Sequence, residues 1–384
     1  MAKEGDLDKA VTDINKKYGA GTLLRASEAV SLVVDRLPSN VFIFDTLVGG
    51  GFPRGRISMI KGDYSTGKSA LCLATVAVAQ RTCRFCGYMF EFIDMVGEVH
   101  EFDCKCKKKV PMGVVWLDAE HSFDPTWASK WNVDTDSMYL IQAEVAEQAV
   151  DVADHCIRQN CDLLVIDSIA ALAPEVEVVE SMQKQQMGIF ARVMNKALRK
   201  WTSGMNAGGL LAETKCTILL VNQIRIDLGG YRPKQTSPGG KGLDFFASLE
   251  VKLKREGWIE QEGSKRPVGI RVSFVVKKNK TWPASNGGVF DLYFVSDPPN
   301  YMVGDSDLDV QVLRLAVFWD LVKKGGSWFT FPDGTRSHGE AAAGKHLRDN
   351  PKLLEELKAT VTEKELAWVD TGEMTRSNKE EDEE

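Results

Sequence analysis

An α/β fold with a mostly parallel central sheet is predicted by three features of this chain. First, the string G-D-Y-S-T-G-K-S from Gly62 to Ser69 stands between an apolar strand, Ile57 to Lys61, and a long apolar helix pattern, Ala70 to Gln80. Second, short apolar runs each end in polar residues. Ile57 to Ile60 leads into the glycine-rich string, Val114 to Leu117 into Asp118 and Glu120, Leu163 to Ile166 into Asp167, and Thr217 to Val221 into Asn222 and Gln223. Third, intervening segments such as Glu144 to Arg158 and Met187 to Trp201 carry apolar positions at helical spacing. Continuous apolar runs separated by helices describe parallel strands buried on both faces. Ligands of such sheets collect at the carboxyl ends of the strands, so the polar residues closing these runs are expected to converge on one site.

The glycine-rich string has the pattern of a phosphate-cradling P-loop. Gly62, Asp63, Tyr64, Ser65, Thr66 and Gly67 form the wrap, Lys68 reaches the outer two phosphates, and the Ser69 hydroxyl can hold Mg²⁺. A nucleoside triphosphate is the expected ligand. Asp167, closing a buried strand, is the natural carboxylate for the Mg²⁺ shell beside Ser69. Glu120, at the end of another strand, is placed to orient or deprotonate the attacking water, and Gln223, ending a third, to sense the γ-phosphate. Taken singly, each is as readily a helix cap or loop anchor. Their joint pattern points to a site that binds and hydrolyses a nucleoside triphosphate.

With 384 residues and 43% hydrophobic content, the chain suits one large domain with smaller attachments, or two domains. No apolar run reaches the roughly 20 residues of a membrane span. The N-terminal Met1-Ala2-Lys3-Glu4-Gly5-Asp6 lacks the apolar stretch of a secretory signal, so a cytoplasmic protein is expected. A net charge of −6 argues against a generally basic coat, and any nucleic-acid site must be a local concentration of Lys and Arg.

Several separated strings, in one order, resemble the bacterial RecA recombinase family. They are I-N-K-K-Y-G-A-G-T-L-L-R from Ile14, W-L-D-A-E-H-S-F-D-P from Trp116, L-L-V-I-D-S-I-A-A-L-A-P from Leu163, M-G-I-F-A-R-V-M-N-K-A-L-R-K from Met187, V-N-Q-I-R from Val221, V-V-K-K-N-K from Val275 and G-G-S-W-F-T-F from Gly325. The resemblance implies an N-terminal helix and strand that dock on the next protomer (1–36), a RecA-like P-loop ATPase core (37–298), a small C-terminal α/β domain (299–372) and an acidic tail (373–384). It implies a homo-oligomeric helical filament on single-stranded DNA, ATP sandwiched between protomers, pairing with homologous double-stranded DNA, strand exchange and DNA-stimulated hydrolysis.

The resemblance also assigns residues. Asp124 and Trp127 match positions that contact adenine; on the residues alone, Trp127 is a core aromatic near a helix start. Lys278 and Lys280 match lysines that reach the neighbour's γ-phosphate, where the bland reading is a solvated strand edge. Glu177 to Gln186 and Ile224 to Pro238 match loops that grip DNA along the filament axis. Arg225, Arg232 and Lys234 lie in the second, Gly239 and Gly240 offer N–H groups to phosphates, and Arg192, Asn195 and Arg199 recur at helical spacing beside the first. An exposed basic helix face is the competing account of the last three. A RecA-core DNA motor, such as a helicase or branch-migration ATPase, is the alternative function. Matches at both ends favour recombinase, and intact Lys68, Glu120 and Asp167 oppose a non-enzymatic scaffold.

The chain departs from the family in three places. Residues 82–111 are inserted between the phosphate-loop helix and the next strand, and hold Cys83 and Cys86 in C-R-F-C and Cys104 and Cys106 in C-K-C. Four of the eight cysteines crowd there. In a cytosolic protein such pairs read as a metal site, a zinc ribbon with Zn²⁺ ordering a segment that has little core. The second knuckle is tight, His100 is an alternative ligand, and a redox pair or unliganded thiols are the competing readings. Cys72, Cys156, Cys161 and Cys216 read as small buried hydrophobes. Lys105 and Lys107 to Lys109 make the ribbon's tip basic; contact to DNA or a protein partner and a plain solvated charge run are all open. Asp244 and Glu250 replace basic residues near the protomer interface. The run Lys379 to Glu384 is acidic and expected to be disordered, either restraining duplex binding or simply solubilising. The insertion also leaves open a phage-encoded origin within a bacterial cell.

Overall fold

The structure, a computed structural model, describes residues 4–19, 22–25, 34–93, 98–179, 188–203, 209–227, 234–236, 241–261, 263–283, 287–297 and 301–371. Among these, eight strands form the central sheet: β1 (Ile57–Gly62), β2 (Val114–Asp118), β3 (Met138–Ile141), β4 (Leu163–Asp167), β5 (Thr217–Gln223), β6 (Leu249–Ile259), β7 (Gly269–Asn279) and β8 (Gly288–Tyr293). Their spatial order is β8-β7-β6-β1-β5-β4-β2-β3. Every pairing from β6 to β3 is parallel, and β7 runs antiparallel to both of its neighbours. The α/β class with a mostly parallel sheet is as expected.

The apolar runs work as two-faced strands. Ile57, Met59, Val115, Leu117, Leu164, Ile166, Ile218 and Leu220 face one core, while Ile60, Val114, Trp116, Leu163, Val165, Leu219 and Val221 face the other. Each fully buried aliphatic side chain contributes about 1.5–3 kcal/mol, so the strand positions are strongly specified. Helices cover both faces. α1 (Glu4–Tyr18) and α2 (Phe42–Val48) precede the sheet, α3 (Lys68–Gln80) packs in the second core, and α4 (Pro125–Lys130) follows β2. α5 (Ala146–Arg158) lays Ala146, Ala149, Ala153 and Ile157 into the first core, a stripe of mostly small residues that allows close approach to the sheet. α6 (Ile189–Thr202) adds Met194, Leu198 and Trp201, and the short α7 (Lys241–Phe246) leads into β6. α5 and α6 start two residues later than their apolar patterns suggest.

Three short antiparallel strands, Lys323–Gly325, Trp328–Thr330 and Arg336–His338, combine with α8 (Leu308–Phe318), α9 (Glu340–Asp349) and α10 (Pro351–Thr371) in the C-terminal part. Arg314 ties this part to the sheet edge, donating to both oxygens of Glu340 at 2.8 Å and to the Val289 carbonyl at 2.7 Å.

Two features differ from expectation. The segment after β5 contains an antiparallel strand pair, Arg225–Asp227 with Lys234–Thr236, which aligns Asp227 opposite Lys234. Cys72, Cys161 and Cys216 are buried, but Cys156 is only half-buried because it flanks the alanine stripe of α5. Among the described residues, no helix is long and apolar enough to cross a membrane.

Candidate nucleotide site and thiolate cluster

The phosphate loop turns because glycine occupies its two ends. A Cβ on Gly62 would lie 2.5 Å from Thr66 Oγ1 and 3.0 Å from the Leu253 carbonyl oxygen. Gly67, at φ +85°, starts α3, and its carbonyl accepts the Leu71 N–H at 2.9 Å. Inside the loop the Thr66 hydroxyl donates to the Asp63 carbonyl at 2.9 Å, and Lys68 Nζ donates to the same oxygen at 2.7 Å and to the Gly62 carbonyl at 3.3 Å. Burial lowers the Lys68 pKa, against the opposing charges of Asp167, Glu120 and Asp63. Tyr64 is exposed and Ser65 has φ +53°. Residues Ser65 to Ala70, with Trp258, Ile270 and Phe294, line a cavity of about 320 Å³.

The parallel strands deliver their closing residues beside this loop. Asp167 ends β4 and bonds the Ser69 hydroxyl. Burial pushes its pKa up to about 6 despite that bond and the nearby Lys68; Glu120 and Asp118 push the same way. Glu120 Oε1 accepts from Ser168 Oγ at 2.5 Å and from Gln223 Nε2 at 2.9 Å. Buried Asp118 accepts the N–H groups of Ser122 and Phe123 at 3.1 and 2.9 Å, which stitches the turn that carries Glu120. Lys68, Ser69, Glu120, Asp167 and Gln223 thus form one connected cluster.

Asp124 caps α4, accepting the Thr126 N–H at 2.8 Å. Trp127 is half-buried, its ring centroid 6.1 Å from that of Trp131 and 6.5 Å from that of Phe294. Phe294 and Trp258, absent from the sequence reading, join the site from the end of β8 and from β6, the neighbour of β1. Their signal was available: Phe294 immediately follows β8, an instance of the strand-end pattern on a strand whose surroundings do not read as parallel. Ser168, missed as well, directly follows Asp167.

Lys278 and Lys280 stand elsewhere in the chain. Lys278 Nζ donates to the carbonyls of Asp244 at 2.6 Å and Phe245 at 3.1 Å, and Lys280 Nζ to that of Phe245 at 3.1 Å, closing the carbonyl end of α7. Register sets Lys278 opposite Glu250, and Glu250 opposite Met59, so both lysines flank the middle and amino half of β1, not the loop that follows it. Asp244 and Glu250 share a partner, Lys61 Nζ, at 2.6 and 2.8 Å.

On α6, Arg192 and Arg199 are exposed and Asn195 is half-buried, with Arg199 Nε donating to the Asn195 carbonyl at 3.2 Å. The backbones of Arg225 and Lys234 belong to the strand pair after β5. Arg232, Gly239, Gly240, residues 180–186 of the first loop and the acidic run 379–384 lie outside the described residues.

The insert leaves the end of α3, at the amino end of the sheet. Its hairpin, Glu91–Ile93 with Val99–Glu101, stands beside two knuckles. The Sγ atoms of Cys83, Cys86, Cys104 and Cys106 all lie within 4.8 Å of one another; Cys106 is 3.5 Å from Cys83 and 3.6 Å from Cys104. A tetrahedral zinc with bonds of about 2.3 Å has sulfur–sulfur edges of about 3.8 Å, so the donor set fits Zn²⁺. The Lys109 N–H donates to Cys104 Sγ at 3.3 Å, the kind of bond that favours a thiolate. His100 lies outside the cluster, its ring 6.3 Å from that of Phe92.

Comparison with known proteins accounts for this arrangement. The family model described as RecA N-terminal domain matches residues 5–114 and 101–297, two stretches that meet inside and just after the insert, and the RecA C-terminal domain matches 310–366. The chain is 34% identical to Protein RecA of Fusobacterium nucleatum over 94% of its own length and 85% of that protein's. It is 32% identical to Protein RecA of Thermus aquaticus, covering 94% and 95% of the two chains. To the chloroplastic DNA repair protein recA homolog 1 of Arabidopsis thaliana it is 31% identical, covering 98% and 76%. The chain belongs to the RecA family of recombinases.

Proposed function

We propose that this chain is an ATP-dependent recombinase that polymerises on single-stranded DNA, pairs it with homologous duplex and exchanges strands, hydrolysing ATP to ADP and phosphate as it does so. The observation that carries this reading is the connected cluster of Lys68, Ser69, Glu120, Asp167 and Gln223 at adjacent strand ends, in a chain of the RecA family. Lys68, now on its own loop carbonyls, turns to the outer phosphates. Ser69 and Asp167 hold Mg²⁺, which neutralises phosphate oxygens when bound. They fit the cation: a carboxylate raised by burial is returned to its charged form by a divalent neighbour.

Glu120 orients or deprotonates the attacking water, and Gln223 exchanges its bond to Glu120 for one to the γ-phosphate. Asp124 and Trp127 contact the adenine, with Phe294 beside them. Lys278 and Lys280, turned away from the loop of their own chain, complete the site of a neighbouring copy, so hydrolysis depends on assembly. Residues 1–36 dock on that copy, 299–372 form the C-terminal domain, and 373–384 act as an acidic tail. DNA is gripped by Arg192, Asn195, Arg199, Arg225, Arg232, Lys234 and the N–H groups of Gly239 and Gly240.

The four cysteines hold a structural Zn²⁺. The compartment is the cytoplasm; the relatives named above come from bacteria and a plant chloroplast, and none supports a phage origin. The test is ATP hydrolysis with and without single-stranded DNA, then a joint-molecule assay with homologous duplex. Both should be positive. Strong stimulation with no joint molecules would make the chain a DNA motor instead.

A further inference from the structure

The insert segregates its charge. Along the sequence the acidic residues run from Glu91 to Asp103, and the basic ones lie beside the cysteines, at Arg84, Lys105 and Lys107 to Lys109. Two of the basic groups are committed: Lys109 pairs with Glu101 and Asp103 at 3.5 and 3.6 Å, and Arg84 pairs with Asp162 at 3.2 Å. Among the described residues, Lys105, Lys107 and Lys108 make no ion pair. Instead Lys108 Nζ sits 4.3 Å from the centre of the Phe85 ring, and Lys105 Nζ 5.7 Å from that of Tyr88. These rings flank Cys86 and are 56% and 43% exposed.

A single exposed ring is ordinary on a soluble protein. Two on one knuckle, each with an uncommitted ammonium beside it, on a chain of net charge −6, form a local combination with a specific complement. Ammonium groups take phosphates and open ring faces take nucleobases, which is how proteins hold unpaired strands without regard to sequence. A duplex hides its base faces in the stack, so the rings select a single strand.

Location separates this face from the expected DNA-gripping segments. Those follow the carboxyl ends of β4 and β5, whereas α3 carries the chain from the phosphate loop to the amino end of the sheet before the insert begins. Arg84 fixes the first knuckle there, donating to the Asn160 carbonyl at 2.8 Å, just before β4 starts.

We propose that Phe85 and Tyr88, with Lys105, Lys107 and Lys108, form a second binding site for single-stranded DNA at the opposite end of the sheet. The proposal rests on the zinc reading only for the fixed shape of the knuckles. The test uses full-length filaments assembled with a non-hydrolysable ATP analogue on excess unlabelled oligothymidylate. A second strand carrying 5-iododeoxyuridine is then added, crosslinked by light and mapped by mass spectrometry.

Crosslinks at Phe85 or Tyr88 are expected. Lys105→Glu with Lys108→Glu should weaken retention of the second strand about tenfold and make its salt slope shallower by about 2, with first-strand-stimulated hydrolysis unchanged. Crosslinks confined to residues 177–240, or unchanged retention in the double variant, would overturn the proposal. So would loss of duplex capture alone, or a peptide of residues 373–384 occupying the knuckle in place of the strand. Zinc analysis of the same samples separates the two ideas: crosslinking without zinc removes only the zinc reading, and zinc without crosslinking removes only this one.

Discussion

The two ends of the central sheet are ordered by different forces. At the carboxyl end, the phosphate loop, Asp167, Glu120 and Gln223 ride on strands whose side chains are buried in two cores, and hydrogen bonds join Glu120 to Gln223 and to Ser168. At the amino end, the described residues of the insert between 82 and 111 bury only the side chains of Thr82, Cys83 and Cys104. The first end holds its shape by apolar burial; the second has four sulfurs where a core would be. Chemistry at one end should therefore be separable from order at the other.

The largest effect belongs to the carboxyl end. Glu120→Gln keeps the shape of the side chain but removes the base, and hydrolysis should fall about a hundredfold or more while nucleotide affinity and zinc content stay unchanged. Lys68→Ala should instead abolish productive triphosphate binding. Turnover measured beside equilibrium nucleotide binding distinguishes them, and equal loss of affinity in both would contradict the assigned roles.

Asp167 sharpens the contrast because its burial costs stability. Its folded pKa is raised from 3.8 to about 6. The folded state thus binds the proton more tightly than the unfolded state, and the associated stability is fully present below pH 3.8 and lost as pH rises through about 6. In nucleotide-free, metal-free protein at neutral pH the charged carboxylate costs up to roughly 3 kcal/mol. Asp167→Asn should then raise the melting temperature near pH 7 and abolish Mg²⁺-dependent hydrolysis. Stability and activity of the parent should move in opposite directions as pH falls from 7 to about 5. A variant that melts lower than the parent would show that the carboxylate is held by more than Ser69 and Lys68.

A smaller effect is expected where the sheet meets α7. Lys61 carries two carboxylates, Asp244 at 2.6 Å and Glu250 at 2.8 Å, and its side chain is 10% exposed against 43% and 14% for the acids. Lys61→Met leaves Glu250 partly buried without its cation, a loss of about 1–2 kcal/mol after allowing for the solvent that screens Asp244. Denaturant midpoints should show it, and Lys61→Met with Glu250→Leu should recover most of it.

That triad also marks where sequence reading stops. Strand ends were legible because period and closure are local: a run such as Leu163 to Ile166 states both its burial and its exit residue. The insert was legible because cysteine spacing carries its own chemistry. Asp244 and Glu250 were noticed without Lys61, since a lysine inside an apolar strand is explained only by a partner about 190 positions away that register brings alongside. Phe294 escaped for a different reason: it shows the strand-end pattern, but on a strand whose surroundings do not read as parallel, and the antiparallel pairing of β7 with β8 sets it beside the phosphate loop.

The smallest effect on the core is expected from removing the metal, and it tests the comparison most directly. A strong chelator, or Cys83→Ser with Cys86→Ser, takes away the sulfur–metal bonds that replace a core in the insert. Amide exchange across residues 98–110 should then rise toward that of an unstructured chain, and a protease should cut there. Residues 57–69 and 163–167 should keep their protection, because their order comes from strand burial in two cores against which the described residues of the insert pack only Met89. DNA-stimulated hydrolysis should stay within about twofold, since additivity holds for sites without shared partners. Arg84 is the point at which separation can fail: it joins the first knuckle to Asp162, which also pairs with buried Arg54 at 3.0 Å. If metal loss lowers the melting temperature of the whole chain, Arg84→Ala in the zinc-loaded protein should reproduce that drop, and the two ends would then be coupled through Asp162.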